Sequence, residues 1–304
     1  MIRGAMSDDK YLEAIAAIEG GDSIRSAAKR YGFPESTLRR RFNSRGHGAP
    51  DALGDSISDP EEIPVIIRDY SSQPNHYVYP LGDLHKGAAK HQGDRWREWL
   101  DYLVSQPDRS LLNTGDNFNS AIIGSKSDVY DEVMRVGDAK RELREELRPL
   151  AAAGRVDVMM PGNHEDRISR AVGDCPVLDV AEALEIPYVR ASALIVYRVG
   201  DQEYELYVRH GTGNGQSLAG LQKSAFTIAA DVYVTGHTHR QAVTADDYFY
   251  REGGSCERRH RYFVNSGSFI GLENYAAQRG YAPTRIGAPR IFFDGSRHDV
   301  HVSL

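Results

Sequence analysis

Cysteine is almost missing: two residues of 304, Cys175 and Cys256. So few thiols exclude a disulfide-built scaffold and a Cys-rich zinc knuckle, and they fit a reducing compartment. No apolar run approaches the roughly 20 residues that cross a bilayer. Met1 to Lys10 carries Ser7-Asp8-Asp9-Lys10 where a signal peptide would be apolar. The expectation is a chain with no membrane partner, and the cytoplasm as its default location. An excess of positive charge is lacking too: 37 Lys and Arg against 43 Asp and Glu leave a net charge of −6. Spread evenly, that balance would disfavour a nucleic-acid partner. Internal repeats and low-complexity tracts are absent. Hydrophobic residues at 40% and charged residues at 26% are globular values that exclude wholesale disorder. At roughly 100 to 200 residues per domain, the length allows two domains, or one with an appendage.

From Asp8 to Phe42 apolar residues recur at helical spacing: Leu12, Ile15, Ile18, then Ile24, Ala27, Ala28, Tyr31, then Leu38 and Phe42. Gly20-Gly21 ends a first helix, Ser23 caps a second, and Gly32-Phe33-Pro34 precedes a third opened by Pro34 or Glu35. The last two form a helix-turn-helix. Residues 25 to 45 hold seven Arg or Lys against Glu35 alone, so the charge is unevenly distributed after all. Between Ser44 and Pro64 the composition turns to Gly, Pro, Ser, Asp and Glu, as in a solvated linker. The expected division is a small all-α helix-turn-helix domain over 1–45, a linker over 46–62 and a second domain over 63–304.

In the second domain β-rich apolar runs end in polar loops: His76–Leu81, Ser110–Asn113, Val156–Met160, Tyr204–Val208 and Val232–Thr235. Helical stretches at Asp94–Ser105 and Asp128–Leu150 separate several of them, so the body reads as layered α/β. The loops carry Asp83, His85, Asp116, Asn163, His164, His210, His237 and His239 at strand ends, where open α/β sheets place ligands. Asp-x-His and His-x-His in extended backbone put alternate side chains on one side. Imidazole, carboxylate and amide donors without thiolate suit manganese, with iron, zinc or nickel as alternatives. Eight groups exceed one tetrahedral site, and a carboxylate bridges two ions, so a pair of divalent ions about 3.5–4 Å apart is expected. A single histidine here would as readily be a satisfied core residue; five in succession after strands would not.

Gly82-Asp83-Leu84-His85, Gly115-Asp116-Asn117, Gly162-Asn163-His164-Glu165, His210 and Gly236-His237-Thr238-His239, in that order, resemble the signature of the calcineurin-like metallophosphoesterases. The resemblance spans about Tyr77 to Gly271, including Asn265-Ser266-Gly267-Ser268. It implies a two-sheet sandwich flanked by helices. It also implies one metal held by Asp83, His85, Asp116 and His239, and a second by Asp116, Asn163, His210 and His237. Asp116 would bridge. His164 would face the phosphate as proton donor or charge stabiliser while water activated by the cations attacks phosphorus in line with the leaving oxygen. Lys86, Asp166, Arg167 and Arg170 are candidates for steering phosphate, though arginines after a loop are commonly solvated. His91 reads as a surface residue. Arg251, Arg258, Arg259, His260 and Arg261 could form a basic lip beside the site, or an ordinary solvated hairpin.

Members of this family that dephosphorylate Ser and Thr carry an arginine after the bridging aspartate and another before Gly-Asn-His. Here those stretches read Asn117-Phe118-Asn119-Ser120 and Met160-Pro161. The His-x-His ending looks more like the nuclease and phosphodiesterase branches, including nucleases of the Mre11 and SbcD type, although too few residues follow His239 for their partner-docking segments. The N-terminal stretch from Ser23 to Arg41 resembles pipsqueak-type and recombinase-type helix-turn-helix modules. In that resemblance Ser36, Thr37, Arg39, Arg40 and Arg41 belong to a helix that enters the DNA major groove. The domain pairing is similar to that of phage or prophage proteins. A DNA nuclease targeted by its first domain is the leading expectation. The alternative is a small-nucleotide phosphodiesterase or phosphoprotein phosphatase with a regulatory or docking N-terminal domain. DNA is the expected partner; protein partners are unknown, and a homo-oligomer is allowed.

Overall fold

The computed structural model describes residues 8–19, 22–33, 63–123, 125, 129–211, 218–272, 280 and 285–304. The chain divides into two compact units, Met1–Ser56 and Ile57–Leu304. In the first, α1 (Asp8–Glu19) packs on α2 (Ile24–Tyr31). Ala14, Ile18, Ala27 and Ala28 are buried between them, with Tyr31 and Phe33 against the cluster. Ser23 caps α2 as its sequence position requires, its Oγ accepting the Ser26 N–H at 3.1 Å. Gly32, at φ 78°, closes the helix in the left-handed conformation, its N–H returning to the Ala28 carbonyl. The expected third helix, with Ser36, Thr37, Arg39, Arg40 and Arg41, lies outside the described residues.

The second unit is a sandwich of two mixed sheets flanked by helices. Its strands are β1 (Val65–Tyr70), β2 (Asn75–Leu81), β3 (Arg109–Asn113), β4 (Val156–Val158), β5 (Ser192–Val199), β6 (Gln202–Arg209), β7 (Val232–Thr235), β8 (Ala242–Glu252), β9 (Ser255–Asn265), β10 (Arg290–Asp294) and β11 (Val300–Ser303). One sheet runs β1-β5-β6-β7-β9-β8, the other β11-β10-β2-β3-β4. Period-two alternation explains the packing: Ala193, Ile195, Tyr197 and Val199 of β5 and Tyr204, Leu206 and Val208 of β6 turn inward. They meet Val78, Leu112, Val158, Ile291 and Phe293 from the opposing sheet.

The outer face of the five-stranded sheet is covered by three helices. Trp96, Leu100 and Leu103 of α3 (Gly93–Val104), Leu143, Leu147 and Leu150 of α4 (Val136–Ala152), and Val177 and Val180 of α6 (Pro176–Ala183) pack on Tyr79, Leu81, Leu111 and Val156. The central parallel strands β2 and β3 are covered on both faces: Tyr79, Leu81 and Leu111 meet the helices, and Val78 and Leu112 meet the other sheet. A further helix, α5 (Asn163–Val172), follows β4, and a short one, α7 (Ala219–Gln222), lies on the outer side of the six-stranded sheet, where Leu221 packs with Tyr233 and Phe263.

One charge lies inside the sandwich. Asp157 is fully buried, accepts hydrogen bonds from Tyr70 and Tyr197 (2.8 Å each) and Ser110 (2.6 Å), and pairs with Arg68 at 3.3 Å. Left unpaired, such a carboxylate would cost about 3–5 kcal/mol. Parallel strands β2, β3, β6, β7 and β9 point their carboxyl ends the same way within each sheet. The loops that follow these strands carry the polar residues singled out above.

Candidate metal centre

Two loops are zipped together first. The N–H groups of Asp83, His85 and Lys86 donate to the carbonyls of Gly115 (2.8 Å), Asp116 (3.0 Å) and Asn117 (2.9 Å), and the Asn119 N–H returns to Lys86 at 3.0 Å. This ladder prolongs β2 and β3 past their ends and sets Asp83 and His85 beside Asp116. The third loop joins through Asp116 itself, whose Oδ1 accepts the His164 N–H at 2.9 Å, at the start of α5. Asp83 ties in the fourth by accepting the His237 N–H at 2.9 and 3.1 Å.

Ligand-type atoms of Asp83, His85, Asp116 and His239 all lie within 4.8 Å of one another, and so do those of Asp116, His210 and His237. Asp116 is common to both groups. Its Oδ2 faces the Nε2 atoms of His210 at 3.3 Å, His85 at 3.8 Å and His164 at 4.0 Å. The Nε2 of His239 lies 3.0 Å from that of His85 and 3.5 Å from Asp83 Oδ1. Asn163 Oδ1 stands 3.3 Å from His210 Nε2, on the exposed side. His164 and His210 each donate Nδ1–H to a backbone carbonyl, of Asn119 and Thr114, at 2.7 Å. Both rings therefore turn Nε2 inward.

Backbone strain marks the same place. Seven non-glycine residues among those described have positive φ, and five are Asp83, His85, Asp116, His237 and His239, at 47° to 74°. Such conformations persist only where the surroundings over-determine them, and they concentrate at functional sites. Asp83 and Asp116 are almost wholly buried, and among the described residues their ion pairs are all with histidine. Burial, and then the neighbouring Asp116 charge, push the Asp83 carboxyl well above its usual range. Burial acts the same way on Asp116, but the charges of His210 and His164 outweigh it and hold that group well below. His210 is desolvated, yet the two carboxylates drive it up to about 10. Two buried carboxylates among converging imidazoles demand positive charge, and the donor set fits divalent cations.

Three buttresses escaped the sequence reading of roles. Fully buried Glu165 accepts the Gly162 N–H and the Phe118 N–H, both at 2.7 Å, and so clamps the start of α5 to the loop that carries Asp116. Its spacing as the third residue of a helix was the available signal. Glu132 accepts the Asn119 side-chain N–H (2.9 Å) and the Ala121 N–H (2.7 Å), fixing the loop whose carbonyl orients His164. No local motif announces it. Lys86 is buried and pairs with Glu142 at 2.9 Å and Glu146 at 3.1 Å on α4. It anchors the first loop from behind and does not steer phosphate.

Other expectations are corrected. His91 is partly buried and bonded through Nδ1 to the Leu84 carbonyl at 2.7 Å, so it is no solvated surface residue. The basic segment is not a lip beside the site. Because β9 runs parallel to β7 and meets it only over Tyr262–Asn265, the hairpin leaves the site at its base and carries Arg251 and Arg258 away beyond the amino end of β7. Asp166 and Arg170 pair with each other at 3.7 Å along α5.

Glycine is required where loops touch. A β-carbon at Gly162 would fall within 2.6 Å of Asp116 Cγ and 2.5 Å of its backbone nitrogen. Gly162→Ala is therefore expected to displace Asp116, lowering both metal content and turnover at least about tenfold. A variant with wild-type metal content by elemental analysis would contradict that packing.

A two-sheet sandwich with this Asp/His cluster at its strand ends defines a metal-dependent phosphoesterase. Residues 78–285 match the model of the calcineurin-like phosphoesterase superfamily domain, and the chain belongs to that superfamily. Residues 7–49 match the helix-turn-helix Psq domain. The chain is also similar to several solved structures. One, a predicted phosphoesterase from Streptococcus pneumoniae, shares 14% identity over 75% of this chain and 88% of that one, TM-score 0.35. A metallophosphoesterase from Sphaerobacter thermophilus shares 16% over 75% and 88%, TM-score 0.33. Zinc-complexed Vps29 from Entamoeba histolytica shares 16% over 75% and 97%, TM-score 0.33. Comparison with the curated proteins gives no match. Among the described residues no helix is long and apolar enough to cross a membrane.

Proposed function

We propose that the chain hydrolyses phosphodiester bonds of DNA, to which its first domain directs it. The observation that carries this reading is the joining, in one sequence, of a phosphoesterase domain and a Psq-type helix-turn-helix. One cation would be held by Asp83, His85, Asp116 and His239, the other by Asp116, Asn163, His210 and His237. When bound, such ions supply Lewis acidity and make water nucleophilic near neutral pH, manganese being the first to test.

The chain's own groups do the rest. Partly exposed His239, His237 and Asn163 leave one side of the cluster open to a phosphate. His164, its Nδ1–H fixed on Asn119, presents Nε2 to the same space and holds or delivers the proton at the leaving oxygen. Arg167, one turn along α5, adds positive charge that both His164 and Glu132 feel. Asn117 and Asn119 occupy the stretch where a phosphoprotein phosphatase would carry its arginine, and their side chains are turned to Asn113, Met160 and Glu132. That arrangement favours a diester over a phosphoprotein.

His164→Ala is expected to lower kcat by about 10²–10⁴, the usual effect of a positioned acid or base, with metal content unchanged; loss of metal would move His164 into the ligand shell. For the substrate, the full chain with Mn²⁺ is offered plasmid DNA, cyclic dinucleotides and phosphopeptides. Preferential cutting of DNA supports the proposal. Turnover confined to the small nucleotides or phosphopeptides replaces it with a phosphoesterase whose N-terminal domain regulates or docks.

A further inference from the structure

The β8–β9 ribbon has no part in the site just described. It turns through Gly253-Gly254, with Gly253 at φ 57°. The register is regular over all eleven pairs, from Ala242 opposite Asn265 to Glu252 opposite Ser255. Only Tyr262–Asn265 of β9 meet β7, so from Asp246 and Arg261 outward the ribbon is two-stranded. Among the described residues no strand lies on the other side of β8. The free edge from Asp246 to Glu252 is about 20 Å long at 3.4 Å per residue. Long uncovered edges are templates for pairing, and two-stranded ribbons alone are marginal.

Which groups face that edge follows from parity. In an antiparallel pair, residues alternate between exchanging hydrogen bonds and pointing them outward. Tyr262 N–H points away from β8, donating to Asp231 O at 2.9 Å. Its opposite number Ala245 therefore directs its backbone groups to the free edge, and by the same alternation so do Asp247, Phe249 and Arg251, opposite His260, Arg258 and Cys256. These three side chains also share one face of the ribbon. Phe249 is 75% exposed, and Asp247 and Arg251 stand two residues to either side of it.

We propose that two copies of this chain pair antiparallel, β8 to β8, about a two-fold axis at Phe249. In that register Phe249 bonds its counterpart through both backbone groups. Asp247 of each copy falls opposite Arg251 of the other, and the two Phe249 rings lie between the two ion pairs. Backbone parity and charge complementarity select the same centre, and the contact is isologous, so it closes at two chains. On the reverse face Tyr248 meets Tyr250. Asp246 falls opposite position 252 and pairs with Arg261 of its own ribbon. Asp247 already takes His260 and, at 3.7 Å, Arg258 of its own ribbon, so Arg251 of the other copy joins an existing ion-pair cluster. A contact of about seven residues a side is small for a stable interface, so the dimer is reversible and concentration-dependent. It makes any DNA binding bivalent.

Sedimentation of the full chain across a concentration series tests this, with circular dichroism confirming the fold of each variant. The wild type is expected to dimerise. Asp247→Arg sets like charges opposite each other twice, as does Arg251→Asp, and each should weaken the dimer at least about tenfold. The double variant Asp247→Arg/Arg251→Asp restores both pairs and should recover the dimer. Mixing the two single variants should give a heterodimer, since Arg then meets Asp at both positions. A chain monomeric up to its solubility limit overturns the proposal. So does a dimer indifferent to both single changes, or a double variant no better than the singles.

Discussion

Asp116→Asn is expected to reduce phosphoester hydrolysis by about 10³-fold or more and to remove the thermal stabilisation given by divalent metal. The substitution keeps the shape of the side chain and an oxygen able to accept the His164 N–H, now at 2.9 Å. What it removes is the charge at the point where His85, His164 and His210 converge. A ligand common to two cations contributes to both, and deletion of one preorganised electrostatic group alone costs about 10²–10³ in rate. Metal supplied at about 100 times its dissociation constant stabilises the folded chain by about 2.7 kcal/mol. For a domain of this size that is a rise of roughly 5–10 °C in Tm. Chelated wild type should show this rise on adding Mn²⁺, and Asp116→Asn should show little of it. Near-wild-type turnover with two equivalents of metal still bound would sink the bridging assignment.

The centre is legible in the sequence because each of its loops lies at a strand end and carries a glycine next to Asp83, Asp116, Asn163, His210 or His237, and both features are local. The β-rich apolar runs located β2, β3, β6 and β7, and the helical stretch between them located α3, within a residue or two. Val156–Met160 reads as one strand, but its pairing with β3 ends at Val158; Met159 then bridges to Tyr188 before the chain turns toward Gly162. Asp128–Leu150 reads as one helix, yet α4 starts at Val136 after a short 3-10 turn at Val129–Asp131. There Glu132 leaves the helical path to reach Asn119 and Ala121. The residues missed share a cause. Lys86 reaches partners 56 and 60 residues away, and Glu132 partners 11 and 13 away. Glu165 adds to its local contact with Gly162 one with Phe118, 47 residues away, so each role is completed by a contact that no local pattern encodes. The hairpin was misplaced for a similar reason: its charges are legible, but the direction in which it leaves the site depends on β9 pairing parallel to β7.

The DNA reading rests on the other domain, and removing that domain should separate the two. Deletion of residues 1–62 is expected to spare hydrolysis of a small chromogenic phosphodiester, since every residue of the candidate centre lies between Asp83 and His239. Cleavage of DNA at limiting concentration should fall by about 10²–10⁴, the range by which a second, tethered binding module raises apparent affinity. Replacing Arg39, Arg40 and Arg41 together by Ala should reproduce most of that loss in the full chain. These residues are three of the seven positive charges between 25 and 45. Each phosphate contact removed lowers the slope of log affinity against log salt by about 0.9, so the triple variant should bind with a slope shallower by about 2.7. A general loss of folding would instead lower binding without that selective flattening, and would appear in the melting temperature. If truncated and full-length chains bind and cut DNA equally at every salt concentration, the first domain is no DNA anchor. The small-nucleotide or phosphoprotein reading then takes precedence, because the metal centre alone does not distinguish among phosphate esters.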